Sequence, residues 1–163
     1  MIKVPQGVKF SIEGGKISVE GAKGKLSRTF PEKDLKLTAK DDSVEAFAPE
    51  LMVMNTIEAH IKNMFIGVTE GYSKKMQILY AHFPITVEVK APFIMIKNFQ
   101  GEKKPRRAKI AGGTKVEVKG QEVFISGIDK ENVGQTAANI RIATKIRKRD
   151  SRVFQDGIYT VSE

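Results

Sequence analysis

Residues 8–24 align without a gap on residues 85–101, and this internal repeat limits what the chain can fold into more than any other feature. Apolar positions coincide pair by pair: Val8 with Ile85, Phe10 with Val87, Ile12 with Val89, Ile17 with Ile94, Val19 with Ile96. Gly24 falls on Gly101. The period is two in both copies, which sets one side of each strand on a core and the other in solvent. Gly14-Gly15 and Ala91-Pro92 stand between the alternating runs, where a hairpin turn is expected. The match resumes after a small shift. Residues 35–47 parallel residues 114–126, each copy reading as two short strands about a tight turn, at Asp41-Asp42 or Gly120-Gln121.

Each copy then turns helical. Residues 50–66 bring Met54, Ile57, Ile61 and Met64 or Phe65 to helical spacing, and residues 130–146 do the same with Val133, Ala137 and Ile140. Asp129 is placed to cap the second helix. Glu70-Gly71-Tyr72 and Asp156-Gly157-Ile158 are matching turns into a last strand. The expected fold is therefore α+β, with two tandem duplicated domains, each an antiparallel β-sheet with one packed α-helix. The repeat puts their boundary between residues 82 and 83, giving domains 1–82 and 83–163 joined near Ala81-His82-Phe83-Pro84. At 163 residues in all, each is close to the smallest size that builds its own core.

Charge divides unevenly across that boundary. Residues 1–82 carry 12 Lys and Arg against 10 Asp and Glu; residues 83–163 carry 16 against 9, so most of the formal +9 belongs to the second domain. Every arginine except Arg28 lies there too. A polyanion is the expected partner; guanidinium groups fork onto phosphate where ammonium groups act as point charges, so if that polyanion is nucleic acid, the second domain holds most of the grip.

Two basic clusters stand out. Within 98–109, read as an extended loop, Lys103, Lys104, Arg106, Arg107 and Lys109 fall within seven residues and repel one another unless a partner offsets them. The second cluster holds Arg141, Lys145, Arg147, Lys148, Arg149 and Arg152, opposed only by Asp150. If the helix continues, Arg141, Lys145, Lys148 and Arg152 share one face; if it stops earlier, the charges form a basic strap. Phe99 and Phe154 flank the clusters, either to stack on bases or to pack beneath the loop.

Other chemistry finds little support. The chain has no cysteine, which removes disulfides, zinc ribbons and thiol nucleophiles. His60 and His82 have no ligand-spaced partners, so no metal or cofactor is expected. Asp41-Asp42 reads as a turn, Gly112-Gly113-Thr114-Lys115 does not complete a phosphate loop, and no nucleophile elbow is present. No apolar run suits a signal peptide or a membrane span, and the expected setting is a reducing compartment, the cytoplasm.

The chain resembles the universal large-subunit ribosomal protein six family in its archaeal and eukaryotic form. Six segments carry the likeness: Pro5-Gln6-Gly7-Val8, Val19 to Gly24, His82-Phe83-Pro84, Asn98 to Lys103, Gly127 to Ala138, and Arg152 to Tyr159. Ile142 stands where the family commonly has glutamine. The resemblance implies two duplicated domains and a structural role in the large ribosomal subunit, among neighbouring ribosomal proteins. It further implies that the C-terminal domain binds large-subunit rRNA near the sarcin-ricin loop, close to where translational GTPases dock. Family motifs locate the segments; charge singles out Lys103, Lys104, Arg106, Arg107, Lys109, Arg141, Lys145, Lys148, Arg149 and Arg152 as the rRNA-binding candidates. Gly134 and Ala137-Ala138 would let the helix approach its sheet or RNA closely. The rival reading is a free-standing RNA-binding module or RNA chaperone using the same basic loop.

Overall fold

Strands form where the alternation places them. The computed structural model describes residues 2–5, 7–13, 15–30, 36–40, 43–47, 50–147, 149–150 and 152–161. The first repeat supplies β1 (Ile2–Lys3), β2 (Lys9–Glu13), β3 (Lys16–Gly21), β4 (Gly24–Thr29), β5 (Lys36–Lys40), β6 (Ser43–Phe47), α1 (Leu51–Thr69) and β7 (Tyr72–Leu79). The second supplies β8 (Thr86–Lys90), β9 (Phe93–Lys97), a 3-10 turn (Phe99–Gly101), β10 (Arg106–Lys109), β11 (Lys115–Lys119), β12 (Glu122–Gly127), α2 (Lys130–Ala143) and β13 (Gly157–Thr160). All strand pairs whose register is known are antiparallel. The expected turn at Asp41-Asp42 lies outside the described residues.

The chain resolves into two compact units, residues 1–72 with 128–130, and residues 73–127 with 131–163. In the first, β2, β3 and β4 form one sheet and β1, β6 and β5 another. Inward residues Ile17 and Val19 of β3 meet Ile57, Ile61, Met64, Phe65 and Val68 of α1 in a single buried cluster. This is the stripe expected of the helix, with Met54 half-buried at its edge. Gly67 brings α1 against the Ile128 carbonyl, where any Cβ would overlap the oxygen.

The second unit repeats the plan, with a three-stranded sheet β10-β9-β8 and a four-stranded sheet β11-β12-β7-β13. Its buried apolar side chains include Ile94, Ile96 and Ala108 from the first sheet, Val123 and Ile125 from the second, and Val133, Ala137 and Ile140 from α2. β7 closes the first repeat in sequence, yet it lies between β12 and β13: Ile78 donates to the Gln121 carbonyl at 2.8 Å and pairs with Ile158. The repeat boundary at 82 and the spatial division at 72 therefore differ by one strand. β7 crosses because its Met76 and Ile78 side chains are wholly buried in this sheet.

Asp156 fixes the junction segment within the second unit. Its carboxylate is 1% exposed, and Oδ1 accepts the Ala81 backbone N–H at 2.7 Å. His82 Nδ1 lies 3.8 Å from Oδ2, with the imidazole against the Phe154 ring at 5.4 Å. His60 rests in the first unit beside Phe30, 6.1 Å between ring centroids.

Candidate nucleic-acid interface

Residues 98–109 are not the extended loop that their glycine and proline suggest. Phe99–Gly101 form the 3-10 turn, Lys103 and Lys104 form a bend, and the last four residues are β10, paired to β9 from Arg106↔Ile96 through Lys109↔Phe93. Cations on both sides of a short strand conceal its alternation. Arg106 and Ala108 point inward, Arg107 and Lys109 outward.

That alternation separates the roles of the five cations. The Arg106 guanidinium grips the Glu102 carboxylate with two hydrogen bonds, at 2.5 and 2.8 Å. Nη1 also donates to the carbonyls of Ala143 at 2.9 Å and Lys145 at 3.2 Å, while the group stacks 4.3 Å from the Phe99 centroid. The Ala143 carbonyl ends α2 and the Lys145 carbonyl lies just past it, at a C-terminus where backbone acceptors lack helical donors and a cation is favoured. The Arg106 hydrogen bond holds the Glu102 carboxyl below its usual pKa, against a smaller opposing effect of burial. Arg106 is thus a clamp, and Phe99, 1% exposed beneath it, is packing. Lys103, Lys104, Arg107 and Lys109 are exposed, and no acidic side chain among the described residues pairs with them.

The second cluster is a strap. α2 ends at Ala143, so Arg141 stands exposed in its last turn while Lys145, Arg147, Arg149 and Arg152 follow in irregular chain, all exposed. The one-face helical arrangement does not form. Lys148 lies outside the described residues. Arg149 stacks on Phe154 at 4.8 Å, and Arg152, its side chain 90% exposed, meets Asp150 at 3.3 Å. Through its bonds to Glu102 and Lys145, Arg106 brings the bend at 103–104 beside the start of the strap.

A further set of residues escaped the reading of charge along the chain. β9 is central in its sheet, and the registers line up Lys90↔Phe93↔Lys109 and Glu88↔Met95↔Arg107 across three strands. Phe93 is 37% exposed and Met95 half-buried, both on the side away from the core. Lys97 lies beyond them and bonds Glu88 at 2.5 Å. This Lys97 bond, opposed by desolvation and aided by the charges of Lys97 and Lys90, holds the Glu88 carboxyl below its usual pKa. Glu88 thus pairs with Lys97 and, at 3.6 Å, with Lys90, and leaves Arg107 and Lys109 on the far strand with no carboxylate partner among the described residues. The signal was present in the sequence as a lapse of alternation: Phe93-Ile94-Met95-Ile96 is apolar throughout, where the first repeat reads Lys16-Ile17-Ser18-Val19.

The matching surface in the first unit has another character. There the rows are Lys9↔Glu20↔Lys25, Ser11↔Ser18↔Ser27 and Glu13↔Lys16↔Thr29, in which charge nearly cancels. Of the small helical residues, Ala137 is buried, whereas a Cβ on Gly134 would meet nothing. Gly134 therefore does not bring α2 close to its own sheet. Among the described residues no three His, Cys, Asp or Glu side chains gather as metal ligands, and no helix is long and apolar enough to cross a membrane.

Comparison with known proteins follows the same division. The model of the family described as Ribosomal protein L6 matches residues 4–71 and again 83–157. Large ribosomal subunit protein uL6 of Methanosarcina mazei is 46% identical over 167 residues, covering 99% of this chain and 95% of its own. The uL6 proteins of Methanobrevibacter smithii (46% over 167 residues, 99% and 94%) and Ignicoccus hospitalis (46% over 169, 98% and 91%) are similar to the same extent.

Proposed function

The chain belongs to the ribosomal protein L6 family, and on that premise we propose that it binds large-subunit rRNA mainly through its second repeat, near the sarcin-ricin loop and the docking site of translational GTPases. As a member of that family it is a structural constituent of the large ribosomal subunit and not an enzyme. What carries the rRNA reading is the distribution of uncompensated charge. Lys103, Lys104, Arg107 and Lys109 are exposed with no carboxylate beside them, next to a strap of further cations.

Cations of this kind neutralise backbone phosphates and release counterions, while the rigid sheet and the Arg106 clamp set the spacing between them. A-form RNA shows side chains its phosphates and 2′-hydroxyls more readily than its bases, so shape and backbone dominate recognition. Lys103, Lys104, Arg107 and Lys109, with Arg141, Lys145, Lys148, Arg149 and Arg152, are the contact residues; Arg106 positions them. Neutralising Lys103, Arg107 and Lys109 together should lower the slope of log affinity against log salt by about 2 to 3, with Tm unchanged. An unaltered slope for large-subunit rRNA would remove the sheet and bend from the interface. Sedimentation with large subunits through a high-salt gradient separates this reading from the free-standing RNA chaperone, which would be released.

A further inference from the structure

The two β-hairpins at the start of each repeat share one register, offset by 77 residues: Lys9–Glu13 falls on Thr86–Lys90, and Lys16 to Glu20 on Phe93 to Lys97. The buried positions stay apolar in both. The outward positions diverge, with Phe93 where the first repeat has Lys16, and Met95 where it has Ser18. Phe93, 37% exposed, and the half-buried Met95 thus set an apolar pair on the outer side of the sheet where the first repeat is polar.

Resting on the rRNA-binding reading, we propose that the outward side of β8–β10 holds an unpaired nucleotide of the RNA, its base stacked on the Phe93 ring. The surroundings are chemically suited to that occupant. Lys90 and Lys109 stand directly across from Phe93, about 5 Å to either side at Cβ, and Arg107 stands in the same relation to Met95. A ring framed by cations takes a base on its π-face and the flanking phosphates on its ammonium groups, the arrangement by which single-stranded nucleic acid is bound without sequence preference. An apolar protein partner would leave Arg107 and Lys109 desolvated and unpaired, whereas Lys90 keeps Glu88 at 3.6 Å. A wholly paired helix would use the charges and leave the ring idle. Phe99 and Phe154, which adjoin the basic clusters in sequence, are occupied by Arg106 and Arg149.

The test uses the full chain, a ten-residue oligoadenylate carrying one 2-aminopurine, an RNA duplex of equal length, and large-subunit rRNA. The native protein and Phe93→Tyr should quench the 2-aminopurine on binding. Phe93→Leu, which keeps bulk and apolarity, should lose the quench and bind the single strand about tenfold more weakly, with salt slope and duplex affinity unchanged. Lys109→Ala should instead lower the salt slope for both short RNAs. Equal quench and affinity for Phe93→Leu overturns the stacking proposal. If salt-dependent binding to large-subunit rRNA persists in that case, the broader reading stands; if the native chain binds none of the three RNAs, both fall.

Discussion

Arg106 shows how little a residue's charge says about its task. Arg107, one position on, and Lys109, three on, present their charge to solvent, whereas Arg106 turns inward and satisfies one carboxylate and the carbonyls of Ala143 and Lys145. Substituting Arg106→Ala should cost about 1–3 kcal/mol, because the Ala143 and Lys145 carbonyls lose a charged donor and Phe99 loses its cover. Thermal unfolding would register this as a drop in Tm, with no comparable drop for Arg107→Ala. Glu102 adds a pH dependence. Its folded pKa lies below the ordinary value of 4.5, so the ion pair's contribution is complete above that pH and disappears as pH falls through the lowered value. The Tm difference between native protein and Arg106→Ala should therefore narrow in acid, leaving the part due to the carbonyl bonds. A constant difference from neutral pH down to 3 would exclude the Glu102 pair from stability.

At the scale of the element, α2 carries a glycine that its own fold does not require. Gly134 sits within a helix where alanine would be favoured by about 1 kcal/mol, and a Cβ there touches no atom of the protein. On the proposed rRNA-binding reading, close approach of the RNA to that turn would give the missing side chain a use. Gly134→Ala should thus raise Tm and at the same time weaken rRNA binding; a more stable variant with undiminished affinity would place the turn outside the interface. The elements themselves were largely legible before the structure. Paired offsets placed β2 on β8, β5 on β11 and β6 on β12, since inward positions are held apolar by burial whatever the outer side does. β10 was hidden because four of its residues include three cations, which obscures a period of two. The Phe93 and Met95 platform was hidden for a different reason. Charge is counted along the chain, but the neighbours that give Phe93 its meaning, Lys90 and Lys109, are supplied by strand register.

For the whole molecule, the repeat in the sequence and the division in space do not coincide, and this decides how the chain can be cut. A break between residues 82 and 83 respects the repeat yet removes β7 from the middle of the four-stranded sheet. Such a fragment, 83–163, loses the hydrogen bonds that β7 makes to β12 and β13, together with the wholly buried Met76 and Ile78 side chains. It also removes Ala81 and His82, leaving the buried Asp156 carboxylate with neither its N–H donor nor its imidazole neighbour. Two lost core side chains, at about 1.5–3 kcal/mol each, consume much of the stability that a domain of this size possesses. Residues 72–163 restore the strand and both Asp156 partners. The longer fragment should show a cooperative thermal transition and dispersed amide resonances and should retain most of the rRNA affinity, while residues 83–163 should show neither. A folded 83–163 fragment would mean that β7 is dispensable to the second unit and that the repeat boundary is the true limit of the RNA-binding domain.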